Sequence, residues 1–210
     1  MNPLTAYAKS KVWTEKELES LASGNFIITC HRFATACGFS PRLRLDLVLN
    51  DFVASAITVG RIEILSDGTP WRPLIHVKDM ARAFDWSSVR SAENGGDFLI
   101  VNTGSNEWNY QIRDLALAIQ NQLCDVDVSI NEDAEPDKRS YQVDFSLFSQ
   151  LALDYVPQFD LVGAVKDLCK CLVAIGFDDS KFRESNLIRL NVLRDHIKNN
   201  RLNNNLEWLL

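Results

Sequence analysis

The chain has 210 residues, of which 46% are hydrophobic, and carries a formal net charge of −6. That length buries one core, or one and a half, and the acidic balance argues against nucleic acid or an anionic membrane as the main partner. The five cysteines include no Cys-x-x-Cys pair and the three histidines lack ligand spacing, so the pattern favours reduced thiols with neither zinc nor disulfides.

The amino terminus shows no basic stretch followed by an apolar run, and no apolar segment reaches membrane-spanning length. A cytoplasmic protein is the expectation. In chain order, Thr5 or Asn2 caps a predicted helix running to about Ser23, with Gly24 as its stop. Phe26 to Arg32 is rich in β-branched and aromatic residues and reads as a strand buried on both faces. Phe33 to Arg42 reads as a loop. Leu45, Val48, Leu49, Phe52, Val53 and Ala56 recur at helical spacing and predict an amphipathic helix over about 43 to 59.

Arg61 to Leu65 and Trp71 to Ile75, separated by Ser66-Asp-Gly-Thr-Pro70, predict a hairpin. A helix from about Lys78 to Ser88 follows, with Asp79 as its expected cap. Asp97 to Asn102 is a second short buried strand. Helix is expected from Gln111 to Leu123, strand from Val126 to Ile130, loop from Asn131 to Ser140, and a short strand from Tyr141 to Asp144. A helical turn at Ser146 to Leu151 and helices over about Asp160 to Ile175 and Arg183 to Lys198 complete the chain, with a fraying tail. Alternating helices and strands indicate an α/β layer, yet only two buried strands belong to it.

Chemistry concentrates at Tyr7 and Lys11. A phenol and an ammonium four residues apart share one helix face, and the cation favours the phenolate. That is what a redox enzyme needs to move a proton on a sugar hydroxyl. The pair opens a helix that runs into the first buried strand, which leads into His31-Arg-Phe-Ala-Thr-Ala-Cys-Gly-Phe-Ser-Pro-Arg42. Then come Gly68-Thr-Pro-Trp-Arg72-Pro-Leu-Ile-His76-Val-Lys-Asp79-Met-Ala-Arg-Ala83, Asn102-Thr-Gly104 and Asp137-Lys-Arg139-Ser-Tyr-Gln-Val-Asp144. This ordered series resembles the NAD-dependent epimerase/dehydratases that act on nucleotide sugars, within the extended short-chain dehydrogenase/reductase superfamily.

The resemblance implies a partial Rossmann-type α/β fold plus a small α/β substrate-binding domain. About 1–42 and 97–124 would be the remnant of the dinucleotide-binding sheet, and about 43–96 and 125–210 the substrate-binding region. Tyr7 would be the acid/base and Lys11 its modulator and ribose contact. Arg32 and Thr35 would lie at the cofactor, NAD or NADP. Asn50, Arg72 and Arg139 would contact the nucleotide-sugar substrate, the arginines through its diphosphate; His76 would be structural. No metal is implied.

The family's glycine-rich phosphate turn has no counterpart among the six residues before Tyr7. The expectation is therefore a truncated relative, whose activity alone is uncertain. One half of a split enzyme and a non-catalytic sugar-nucleotide-binding module are the alternatives. The strand at Phe26 to Arg32 would then lack a neighbour on one edge, and a homo-oligomer or a complementing chain is the expected consequence.

Overall fold

The computed structural model describes residues 3, 5–123, 125–134 and 140–209. It is a mixed α/β protein in which two strand pairs are parallel. The chain divides into two compact units: residues 1–36, 73–109 and 141–159 form the first, and 37–72, 110–140 and 160–210 the second. Residues 73–96, expected with the substrate-binding region, belong to the first.

In the first unit, helix α1 spans Ala6–Glu19. Thr5 caps it, its hydroxyl accepting from the Ala8 N–H at 3.1 Å, while Asn2, the other candidate cap, lies outside the described residues. The helix stops at Glu19, earlier than expected, because Ser23 and Phe26 close a tight turn around Gly24 through reciprocal backbone bonds. Strand β1 (Ile28–Phe33) follows and then β2 (Thr35–Cys37), so part of the expected loop is strand.

The two buried strands read from the sequence do pair. β1 runs parallel to the strand at Phe98–Thr103, in register from Ile28 opposite Phe98 to Phe33 opposite Thr103. Of β1, however, only Ile28 is buried, the rest being half-buried. Apolar composition signalled a strand correctly but overstated its cover. The core beneath is built from Ala83, Trp86, Leu99, Val101, Phe148 and Ala152, with Trp86 and Phe148 edge to face at 5.5 Å.

The expected hairpin does not form. β3 (Arg61–Ile64) pairs in parallel with Asp127–Ile130, and β4 (Trp71–His76) lies between β2 and the strand at Asn109–Gln111. The linker satisfies itself locally: the Thr69 N–H and hydroxyl both donate to Asp67 Oδ1. The Gly68 and Pro70 carbonyls accept from Arg113 and Ile112. A turn whose polar groups are already engaged need not return its strands side by side.

Helix α3 (Val77–Val89) is capped by His76, whose ring accepts from the Lys78 N–H at 3.2 Å. Asp79, the expected cap, lies inside the helix and is buried. Its carboxylate instead accepts from the Gln158 and Phe159 N–H groups at 2.9 and 3.2 Å. His76 stacks on Phe159 with centroids 3.8 Å apart, and Trp108 Nε1 donates to the Phe159 carbonyl.

After β5 (Phe98–Thr103), Gly104 is where the ring of Phe145 passes so closely that a Cβ would stand 2.7 Å from it. Residues 141–144 form no strand. The side-chain amide of Asn109 takes both the N–H and the carbonyl of Val143, Asn106 takes the Phe145 N–H, and Asn102 the Asp144 carbonyl. Side-chain amides occupy the positions a partner strand would use. Helix α5 (Ser146–Ala152) follows, close to expectation.

The second unit is organised around α2 (Val48–Val59), with Leu49, Asn50, Phe52, Val53, Ala54, Ser55 and Ala56 buried. Gly60 ends it in the left-handed region at φ 70°. The short β6 (Asn109–Gln111) leads into α4 (Ile112–Gln120), β7 (Asp127–Ile130) and α6 (Leu161–Ala174), which Asp160 caps. The last predicted helix is shorter than expected: a turn at Phe182–Glu184 precedes α7 (Arg189–Lys198). Among the described residues no helix is long and apolar enough to cross a membrane.

Candidate functional site

Helix α1 presents its chemistry outward. Every described position in it is exposed or half-buried; Tyr7 is 73% exposed and Trp13 65%. Lys11 Nζ stands 5.5 Å from the centre of the Tyr7 ring, so phenol and ammonium lie on one face, as four-residue spacing requires. The Tyr7 backbone carbonyl accepts from the Ser10 hydroxyl at 2.8 Å, and the phenol itself faces solvent.

One turn beyond Lys11, Glu15 anchors the helix. Arg32 on β1 donates from Nε and Nη2 to its two carboxylate oxygens at 2.7 and 2.5 Å. The Glu15 side chain is only 13% exposed. This hydrogen bond raises the Arg32 pKa further, and burial, with Glu15 second, pushes the neighbouring Cys30 thiol up and away from thiolate chemistry. Arg32, a cofactor candidate by resemblance, is thus engaged as the tether of the Tyr7 helix. Sequence reasoning passed over Glu15, although it continues the Tyr7, Lys11 stripe at the next four-residue step.

Next along β1, His31 sits among rings, stacked on Phe33 at 4.9 Å and edge-on to Phe84, Trp86 and Phe148. Its nitrogens meet the hydroxyls of Thr103 at 2.7 Å and Ser87 at 2.5 Å. Burial, helped by the nearby Arg90 charge, pushes its pKa down to about 4, so it is neutral at ordinary pH. Thr35 is half-buried in β2.

The remaining candidates belong to the second unit. Asn50 is 1% exposed and its amide is taken by backbone: Oδ1 accepts from the Gly38 N–H at 2.8 Å, and Nδ2 donates to the Gly38 and Arg44 carbonyls. It shapes the loop after β2. Arg72 is half-buried in β4, with Nη1 donating to the Trp71 carbonyl. Arg139 lies outside the described residues. The structure thus brings together Tyr7, Lys11 and, through Glu15, Arg32.

Residues 1–104, from the helix carrying Tyr7 to the glycine packed on Phe145, match a family described as NAD dependent epimerase/dehydratase. That match covers just under half of the chain. The fold resembles that of several solved sugar-nucleotide epimerases. UDP-N-acetylglucosamine 4-epimerase from Methanobrevibacter ruminantium M1, solved with UDP-N-acetylmuramic acid, matches at a TM-score of 0.68 and 21% identity over 83% of this chain and 56% of its own. UDP-glucose-4-epimerase from Stenotrophomonas maltophila, solved with NAD and formylated UDP-arabinopyranose, matches at 0.64 and 20%, over 84% and 57%. ADP-L-glycero-D-manno-heptose-6-epimerase from Helicobacter pylori matches at 0.65 and 16%, over 82% and 52%. The chain spans about half the length of these epimerases, and what it shares with them is the Rossmann-like α/β arrangement.

For a dinucleotide the fit is one-sided. Lys11 offers an exposed ammonium suited to ribose hydroxyls. Among the described residues no glycine-rich turn opens a helix as a phosphate cradle: α2, α3, α4 and α6 begin after Leu47, His76, Gln111 and Asp160.

Proposed function

We propose that this chain carries the proton-transfer helix of an NAD-dependent nucleotide-sugar epimerase or dehydratase, with Tyr7 as acid/base. The observation that supports this most is the exposed phenol with the Lys11 ammonium over its ring, on a helix tethered to β1. Tyr7 takes the proton from a sugar hydroxyl, and the Lys11 charge steadies the negative charge growing on the phenolic oxygen. Lys11 would also hold the ribose of a bound NAD, which would supply the hydride acceptor.

Arg32 acts through Glu15 by fixing the helix on the strand, and Thr35 lies further along the same strand path. By the family resemblance Asn50, Arg72 and Arg139 are assigned to the substrate, the arginines to its diphosphate. The phosphate-holding half of the cofactor site is not among the described residues and is supplied by a separate glycine-rich βαβ unit.

The test is turnover of a UDP-hexose panel with NAD, by the chain alone and co-expressed with a glycine-rich βαβ half, products read by NMR. Tyr7→Phe should lower turnover by about a hundredfold or more. Activity that survives the substitution refutes the assignment. Tight UDP-hexose binding with no turnover in either arm makes the protein a non-catalytic sugar-nucleotide module instead.

A further inference from the structure

A cavity of about 360 Å³ lies within the second unit, away from Tyr7 in sequence and unused by the proposed chemistry. One wall is Pro41, Arg42 and Leu43; the other is Asn186, Leu187, Arg189, Val192 and Leu193, at the start of α7. That volume falls within the range of small-molecule pockets.

Both walls are anchored to α2 and are therefore preformed. Asn50 holds the first through Gly38 and the Arg44 carbonyl. The second is tied by Arg183, which donates from Nε and Nη2 to the Asp51 carboxylate at 2.8 and 2.7 Å. Phe182 beside it is fully buried. Asn191 Nδ2 then donates to the Arg183 and Ser185 carbonyls, fixing the first turn of α7. A cavity with both sides held in place loses little entropy on filling.

Its chemistry is specific. Five lining residues are aliphatic or proline, none is aromatic and none is acidic. Arg42 makes no hydrogen bond or ion pair among the described residues. Asp46, next to the first wall, is already held bidentately by Arg44 at 3.0 and 2.6 Å, and Arg189 adds a further cation to it. Two guanidiniums, Arg44 and Arg189, thus share the Asp46 carboxylate, and Arg42 stands outside that sharing, in a chain of net charge −6. Without an aromatic face there is nothing to stack a nucleobase. The aliphatic walls suit a saturated hydrocarbon body, and the Arg42 guanidinium, with Arg189 on the other wall, suits an anionic head.

We propose that this cavity is a binding site for a small amphiphilic anion, a medium-length aliphatic chain ending in a carboxylate or phosphate monoester. The reading does not depend on the proposed catalysis and stands or falls separately.

The full chain, labelled for amide NMR, is titrated with butyrate, hexanoate, octanoate, octyl phosphate, octanol and UDP. Saturable shifts at residues 41–43 and 186–193 are expected, with affinity rising about fourfold per methylene along the carboxylates. Octanol should bind about tenfold more weakly than octanoate. The ratio of octyl phosphate to octanoate affinity identifies the head group. Arg42→Ala with Arg189→Ala should erase the preference over octanol, and Val192→Trp should fill the cavity and abolish binding. Should Val192→Trp not fold, the arginine pair decides. No saturable octanoate binding at millimolar concentration, no dependence on chain length, an unchanged head-group preference in the double variant, or UDP shifting the same amides each overturns the proposal.

Discussion

The two units hold themselves together in different ways. The interior of the second is largely aliphatic: Leu45, Leu49, Val53, Ile62, Leu115, Ile119, Leu168, Leu172 and Phe182 are almost wholly buried, and α2 packs on α4 and α6. The first unit buries His76, Asp79, Arg90 and Thr103, against Asn50 and Ser55 in the second. Arg90 is the extreme case. Its guanidinium donates to the Thr29 hydroxyl and to the Ile28, Asn94 and Gly96 carbonyls, holding the loop before β5 against the start of β1. Burial lowers its pKa, with Asp97 opposing. Aliphatic packing tolerates adjustment, whereas a buried polar network must be complete to be stabilising. The unit that carries the proton-transfer helix has the more exacting interior.

Variants can break that contrast at either end. Phe182→Ala, in the aliphatic unit, should have the largest effect, about 4 kcal/mol by urea denaturation, from lost burial and the cavity left behind. Arg90→Ala should cost roughly 3 kcal/mol, since it strands buried carbonyls. Arg90→Lys should recover only part of this, because one ammonium cannot reach the same spread of acceptors. If Arg90→Ala proves nearly neutral, the first unit does not depend on its polar interior.

Acid should sharpen the difference further. The His31 ring titrates near 6.5 when unfolded and at about 4 when folded. Between those values the unfolded chain binds the proton and the folded chain does not, so acid favours unfolding. The contribution is complete above pH 6.5 and is lost as pH falls through about 4. Melting temperatures of the wild type and His31→Gln, followed from neutral pH downward, should converge as this term is removed. Parallel curves would mean that the ring is not held neutral.

The smallest expected effect is at Arg32 and Glu15. Their pair is partly exposed, and a double-mutant cycle with Arg32→Gln and Glu15→Gln should give a coupling of about 1 kcal/mol. Amide exchange along α1 should nevertheless quicken in either single variant, because that helix contributes no buried residue. Unchanged exchange would show that α1 is held by something else.

Local readings from sequence came closest where a single segment supplied all the information. The spacing of Tyr7 and Lys11, the Thr5 cap, the apolar stripe of α2, and the two strands that became β1 and β5 depend only on neighbouring residues and helix or strand geometry. Readings that needed a distant partner failed or were not made. Asp79 looked like a cap because aspartate near a helix start usually is one, but it serves two amides some eighty positions away. The tether between Arg32 and Glu15 was not foreseen, because the two side chains lie on different elements. Residues 141–144 read as strand from composition, yet the side-chain amides of Asn109, at the start of β6, and Asn102, on β5, had taken backbone groups of Val143 and Asp144.

By itself the sequence determined the helix and strand periodicities, the placement of the phenol beside the ammonium, and the family that its first half matches, because these are written in short-range spacing and in the order of motifs. Only the tertiary structure decided which strands pair, which charges meet, and where an aliphatic cavity gains its two guanidiniums. Those outcomes turn on which desolvated group finds which complement across the fold, and no local window contains both members of such a pair.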